Sequence, residues 1–94
     1  MHLEKHNTDR RKIGGKWKPL ILFILLNRPA RFNKIKQLLP GISSNSLSRC
    51  LYEMEGNGLV YNHITPAYNL TENGRKISVM LMEIKTIVEE LPDL

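Results

Sequence analysis

Ile42-Ser-Ser-Asn-Ser-Leu-Ser-Arg-Cys-Leu-Tyr-Glu-Met-Glu-Gly-Asn-Gly-Leu59 is the stretch whose periodicity decides the fold. Leu47, Cys50, Leu51 and Met54 recur at three-and-four spacing, which places them along one side of a helix and assigns that side to a core. The other side carries Asn45, Ser48, Arg49 and Tyr52, again at helical spacing, and all four bring hydrogen-bond donors or planar groups suited to a polar surface. Ser43 stands where a hydroxyl can accept a free N–H of the first helical turn, and Gly56-Asn57-Gly58 stands where a helix stops. The spacing therefore predicts a helix over residues 43–57 with one dry face and one face built for contact.

Immediately before it, Phe32, Ile35, Leu38 and Leu39 share one face of a second, shorter pattern over residues 31–39, while Asn33, Lys34, Lys36 and Gln37 occupy the other. Pro40-Gly41 breaks this pattern. Two short helices joined by a tight, glycine-containing turn make a helix-turn-helix, whose second helix enters the DNA major groove.

Working further back, Leu20 to Leu26 is apolar all round and predicts a buried scaffold helix over 17–27, with Trp17 packed beside it. Asn27-Arg28-Pro29 ends it, since the residue before a proline is pushed out of the helical region. Lys16-Trp17-Lys18-Pro19 would open it, with proline in the first turn. Gly14-Gly15 would close a separate short helix capped by Thr8 or Asp9 and running through Ile13. Residues 1–7 are expected to be loose. His2 and His6, four apart, have no third ligand near and are not read as a metal site.

Forward from the central helix, Leu59 to Ile64 is rich in β-branched and aromatic residues and reads as a strand. Thr65-Pro66 turns the chain and Ala67-Tyr68-Asn69-Leu70 returns, giving a short hairpin over 59–70. Thr71 caps a last helix over 71–91, which Pro92 ends. Its stripe of Ile77, Met80, Leu81, Ile84, Ile87, Val88 and Leu91 is longer than a small domain can cover, so a second copy of the chain is the expected cover. The fold class is thus mainly α with a small β-hairpin, a single winged helix-turn-helix domain over 1–94 that dimerises through terminal helices.

Charge supports a polyanionic partner. Lys and Arg number 14 against 9 Asp and Glu, a net +5. Residues 1–52 hold 11 basic and 2 acidic side chains (+9), and residues 53–94 hold 3 and 7 (−4), so the excess sits in the half containing the helix-turn-helix. Each Lys or Arg set against a phosphate releases counterions. The longest apolar run is far short of the roughly 20 residues a bilayer span needs, and the polar, charged N-terminus does not resemble a signal peptide; a cytoplasmic protein with no membrane partner is expected. A single cysteine excludes an intramolecular disulfide and a cysteine-based zinc site. No Gly-rich phosphate loop, metal-spaced cluster or perturbed carboxylate pair occurs, so neither an enzyme nor a cofactor is expected.

Gly14-Gly15-Lys16-Trp17, Arg31-Phe32, Leu39-Pro40-Gly41-Ile42-Ser43, Leu47 to Leu51, Gly58-Leu59-Val60 and Tyr68-Asn69-Leu70-Thr71-Glu72-Asn73-Gly74 closely resemble the HxlR-type winged helix-turn-helix family, within the MarR-like superfamily, in order and at nearly the family's spacing. The resemblance implies a prokaryotic transcriptional regulator that binds operator DNA as a homodimer joined through its terminal helices. Three departures stand out. Many members have a cysteine about a dozen residues before the paired glycines, a thiol sensor in some, and this chain has none there. The family usually has a basic residue at Cys50 and one or two arginines at Asn62 and His63. The hairpin is also several residues shorter than the family's wing.

Candidate contacts follow. Arg49 can donate two bonds to O6 and N7 of a guanine and Asn45 can pair with N6 and N7 of an adenine, so these two are assigned to base reading. The alternatives are a phosphate or Glu53 for Arg49, and solvent for Asn45. Ser44, Ser46, Ser48 and Tyr52 on the central helix, Arg31, Lys34 and Lys36 before it, and Asn62 and His63 on the hairpin are assigned to the DNA backbone; the alternatives are solvent for the serines, packing on the scaffold for Tyr52, a brace within the fold for Arg31 and an ordinary strand histidine for His63. Cys50, on the apolar side, is read as a small hydrophobe rather than a redox switch. A winged-helix adaptor for a protein partner, or a non-specific architectural DNA-binding protein, are the competing functions. The sequence points to no particular small-molecule effector.

Overall fold

The computed structural model describes residues 4–91, with side chains from Lys16 onward. These residues form α1 (Glu4–Asn27), α2 (Phe32–Leu38), α3 (Ser44–Gly56), β1 (Val60–Tyr61), β2 (Asn69–Leu70) and α4 (Glu72–Glu89).

Helix α1 departs from the sequence expectation. The break at Gly14-Gly15 does not occur, and one 24-residue helix runs through both glycines with Pro19 in its interior. Glycine permits a left-handed stop but does not impose one. Pro19 has no N–H to give the Gly15 carbonyl, so the helix passes this point with one hydrogen bond missing. The second half of α1 buries Ile21, Leu22 and Leu25, and Leu20 is 37% exposed. The helix is therefore dry on one face only. Its other face, with Phe23, Leu26, Leu38 of α2 and Met82 of α4, lines an open cleft of about 790 Å³. His2, in residues 1–3, and Pro92 lie outside the described residues.

The turn Leu39-Pro40-Gly41-Ile42 is closed by the Ile42 N–H donating to the Leu39 carbonyl at 3.2 Å, and Gly41 takes φ 91°. Proline followed by a positive-φ glycine is the chemistry of a type II turn. Helix α3 is fixed at both ends. Ser43 Oγ accepts the Ser46 N–H at 3.0 Å. At the other end the Gly58 N–H reaches the Glu55 carbonyl at 3.0 Å and the Leu59 N–H reaches the Met54 carbonyl at 2.9 Å, with Gly58 at φ 74°. This is a Schellman cap, and the left-handed residue it requires is glycine.

The hairpin is shorter than Leu59 to Ile64 predicts. Only Val60 pairs with Leu70 and Tyr61 with Asn69. The ladder continues at its base, where the Leu59 carbonyl accepts the Thr71 N–H at 3.0 Å, but stops toward the tip, while on its outer edge Tyr68 exchanges both of its backbone hydrogen bonds with Ala30, at 2.8 and 3.2 Å. Pro66 offers no N–H, and the Thr65 hydroxyl binds the Ala67 backbone instead. The Ala30–Tyr68 bridge ties the α1–α2 connection to the sheet.

Thr71 caps α4 by accepting the Gly74 N–H at 2.9 Å, while its hydroxyl donates to the Gly58 carbonyl at 2.5 Å. Gly74 is buried against Leu59, whose carbonyl occupies the space a Cβ would need. The end of α3 and the start of α4 thus form one junction. The core joins Ile21, Leu22, Leu25, Ala30, Ile35, Leu39, Ile42, Leu47, Cys50, Leu51, Met54, Val60 and Leu70. Ser78 is the one buried polar side chain among the described residues, and its Oγ satisfies itself on the Gly74 carbonyl at 2.7 Å.

Candidate nucleic-acid interface

Helix α3 presents two contrasting faces because its apolar residues occupy one side without interruption. Leu47, Cys50, Leu51 and Met54 are all buried, whereas Ser44, Asn45, Ser48, Arg49, Tyr52 and Glu53 are exposed. Tyr52 is 78% exposed, so it stands clear of the scaffold. Ser46 is half-buried, its N–H already bound to Ser43. The exposed face offers a guanidinium, an amide, a phenol and hydroxyls along a single rigid element.

The ion pair on this face is not the one helical spacing offers. Glu53 accepts from Lys18 Nζ of α1 at 2.7 Å, and among the described residues Arg49 has no ion-pair partner. The hydrogen bond from Lys18, then its charge, hold the Glu53 carboxyl below the usual carboxylate range. Lys18 and Glu53 adjoin Tyr52, Glu55, Gly56 and Asn57 around a shallow depression.

Arg31 occupies the N-cap position of α2 without a side-chain capping hydrogen bond, and it is exposed, as is Lys34. Lys36 is half-buried, its carbonyl accepting the Leu39 N–H that ends the helix. On the hairpin, Asn62 is half-buried and His63 exposed, with the His63 ring 5.4 Å from that of Tyr61. No Lys or Arg occurs between Leu59 and Thr71, and Ile64 at the tip is 74% exposed.

Cys50 is a free thiol, 4% exposed. Burial, the largest influence, pushes its pKa up; Lys18 and Arg49 act in the opposite direction and Glu53 in the same one. A raised pKa lowers the thiolate fraction on which reactivity depends. Among the described residues no group of three or more His, Cys, Asp or Glu could hold a metal ion, and no helix is long and apolar enough to cross a membrane.

Helix α4 carries a second exposed feature. Ile77, Met80, Ile84, Ile87 and Val88, with Leu91 two residues past the helix end, are between 39% and 59% exposed, as are Val79 and Met82, which the stripe drawn from sequence leaves out. Leu81 differs from its neighbours in the stripe: it is half-buried and packs on the core of its own chain.

Sequence reasoning missed the Lys18–Glu53 pair and the α1–α2–α4 cleft. Both depend on residues distant in the chain. The exposed positions Val79 and Met82 were accessible to it as part of a helix apolar over more than one stripe.

Comparison with known proteins supplies the relationship. A family model described as HxlR-like helix-turn-helix matches residues 12–93. The chain is 40% identical to the HTH-type transcriptional regulator YkvN of Bacillus subtilis over 78 residues, 77% of this chain and 66% of that protein. It is 36% identical to YdeP of the same organism over 87 residues, 86% of this chain and 68% of that protein. The chain spans about two thirds of the length of these relatives. Among solved structures, quinone-bound YodB from B. subtilis superposes with TM-score 0.75 at 28% identity, covering 94% of this chain and 99% of that one. A possible HxlR family transcriptional factor from Thermoplasma volcanium superposes at 0.70 with 33% identity, covering 82% and 74%. The four helices and the two-stranded sheet are those of the winged helix-turn-helix regulators, and the chain belongs to the HxlR-like helix-turn-helix family of DNA-binding transcriptional regulators.

Proposed function

We propose that the protein is a sequence-specific regulator that binds duplex DNA as a homodimer on a roughly palindromic operator. Each protomer places α3 in a major groove. Arg49 and Asn45 read bases; Ser44, Ser46, Ser48, Tyr52, Arg31, Lys34, Lys36, Asn62 and His63 meet the backbone. The observation that carries this reading is the exposed donor face of α3, rigidly capped at both ends and opposed to a fully buried one. Two such helices related by a two-fold axis enter successive major grooves when half-site centres lie about 10 base pairs apart, or a multiple of that. The exposed residues of α4 supply the apolar surface for a second copy; Leu81 contributes by supporting that surface from the core side.

Arg49→Ala tests the assignment. Loss of a bidentate base contact costs about 1–3 kcal/mol, and only on the cognate site. Operator affinity falls about tenfold or more while affinity for random duplex changes little, both measured at one stated salt concentration. Equal losses on the two duplexes make Arg49 a backbone contact. The uncharged hairpin with exposed Ile64 favours a second reading, an adaptor for a protein partner. That function requires negligible affinity for any duplex and indifference to Arg49→Ala.

A further inference from the structure

Arg49 and Glu53 are four residues apart on the exposed face of α3. Spacing of this kind brings a guanidinium and a carboxylate together, and a carboxylate on a DNA-reading face also repels phosphates. The sequence therefore places a competitor beside the residue assigned to base reading. In the structure that competitor is occupied from another element: Lys18 of α1 holds the Glu53 carboxylate at 2.7 Å. Lys18 is suited to this, being half-buried on a helix that packs against α3, with its side chain 33% exposed.

We infer that Lys18 is a positioning residue for DNA reading: by binding and neutralising Glu53 it keeps that carboxylate off Arg49 and leaves the guanidinium to the bases. The depressed Glu53 carboxyl agrees, since the Lys18 hydrogen bond and charge lead its causes and Arg49 comes last. The inference rests on the reading of Arg49 given above. It differs from two simpler roles for Lys18, a strut between α1 and α3 and a direct phosphate contact.

Three variants separate these roles: Lys18→Met, Glu53→Gln, and the two combined. Each is titrated against the duplex selected by the wild-type protein and against a scrambled duplex of equal length at the same salt, with a melting curve as a check on folding. Lys18→Met lowers the ratio of operator to scrambled affinity by about fivefold, Glu53→Gln leaves the ratio at or above wild type, and the double variant recovers it. Lys18→Gln replaces Lys18→Met should the latter not fold. Equal loss in both single variants, unrelieved in the double, makes the pair a strut and overturns the inference. Loss on both duplexes that Glu53→Gln does not relieve makes Lys18 a phosphate contact and overturns it too. If the wild-type protein selects no duplex, the DNA reading fails and takes the inference with it; if it selects one and the asymmetry is absent, only the inference fails.

Discussion

Single residues decide more here than their size implies. Gly74 sits where the first turn of α4 lies against the Leu59 backbone, and a Cβ there would overlap the Leu59 carbonyl. That carbonyl already accepts the Thr71 N–H, so it has little room to retreat. Gly74→Ala is expected to destabilise the fold by about 3 kcal/mol, the upper end for overpacking. Gly56, in the last turn of α3, meets nothing within 4 Å and has an ordinary φ; Gly56→Ala should be neutral or stabilising by up to about 1 kcal/mol through helix propensity. Urea denaturation of the two variants measures the contrast, and similar midpoints would contradict the packing at Leu59. Cys50 illustrates the opposite economy: buried, uncharged and with its pKa raised, it fills core space as a small hydrophobe.

At the scale of elements, the caps make the difference between two helices of similar amphipathic design. Ser43 accepts one N–H, whereas Thr71 accepts one and also donates to Gly58 across the α3–α4 junction. Ser43→Ala should cost about 1 kcal/mol, and Thr71→Ala about twice that, since it also leaves the Gly58 carbonyl without its donor. Equal midpoint shifts in denaturation would show that the junction bond adds nothing. Helix α3 was legible in the sequence because periodicity, the Ser43 cap and the Gly58 stop agree on the same boundaries. Helix α1 was misread at Gly14-Gly15 because glycine allows a stop without requiring one. The hairpin is shorter than β-propensity over Leu59–Ile64 implies because propensity says nothing of where the return strand's hydrogen bonds go, and Ala67, next in line to bond across the ladder, gives its N–H to Thr65 Oγ1 at 3.3 Å. Of the contact face, Arg49, Asn45, Ser48 and Tyr52 were visible as a helical stripe; Lys18 was not, because no local pattern links α1 to Glu53.

The whole molecule combines a basic half, which holds the helix-turn-helix, with an apolar outer helix. In the described residues α4 buries only Gly74 and Ser78 fully, and Leu81 in part, so most of its apolar surface faces outward. An exposed apolar face of this extent is the signature of an interface. Replacing Ile84 and Ile87 together with Glu should convert the proposed dimer to a monomer, leave the melting temperature of the wing and helix-turn-helix little changed, and weaken operator binding roughly a hundredfold or more through lost bivalency. Sedimentation and titration of that variant measure both effects; an unchanged mass would place the interface elsewhere. Salt dependence belongs to the same scale: if Arg31, Lys34 and Lys36 meet the backbone as proposed, replacing them should flatten the slope of affinity against salt without changing the preferred sequence.

The central claim, a dimer that reads sequence through α3, is tested most directly by selecting bound sites from a pool of random duplexes at a fixed, stated salt concentration. The predicted result is enrichment of a two-fold symmetric motif whose half-sites are centred about 10 base pairs apart or a multiple of that. A pool that stays random while binding persists, or retention of no duplex at all, would contradict it.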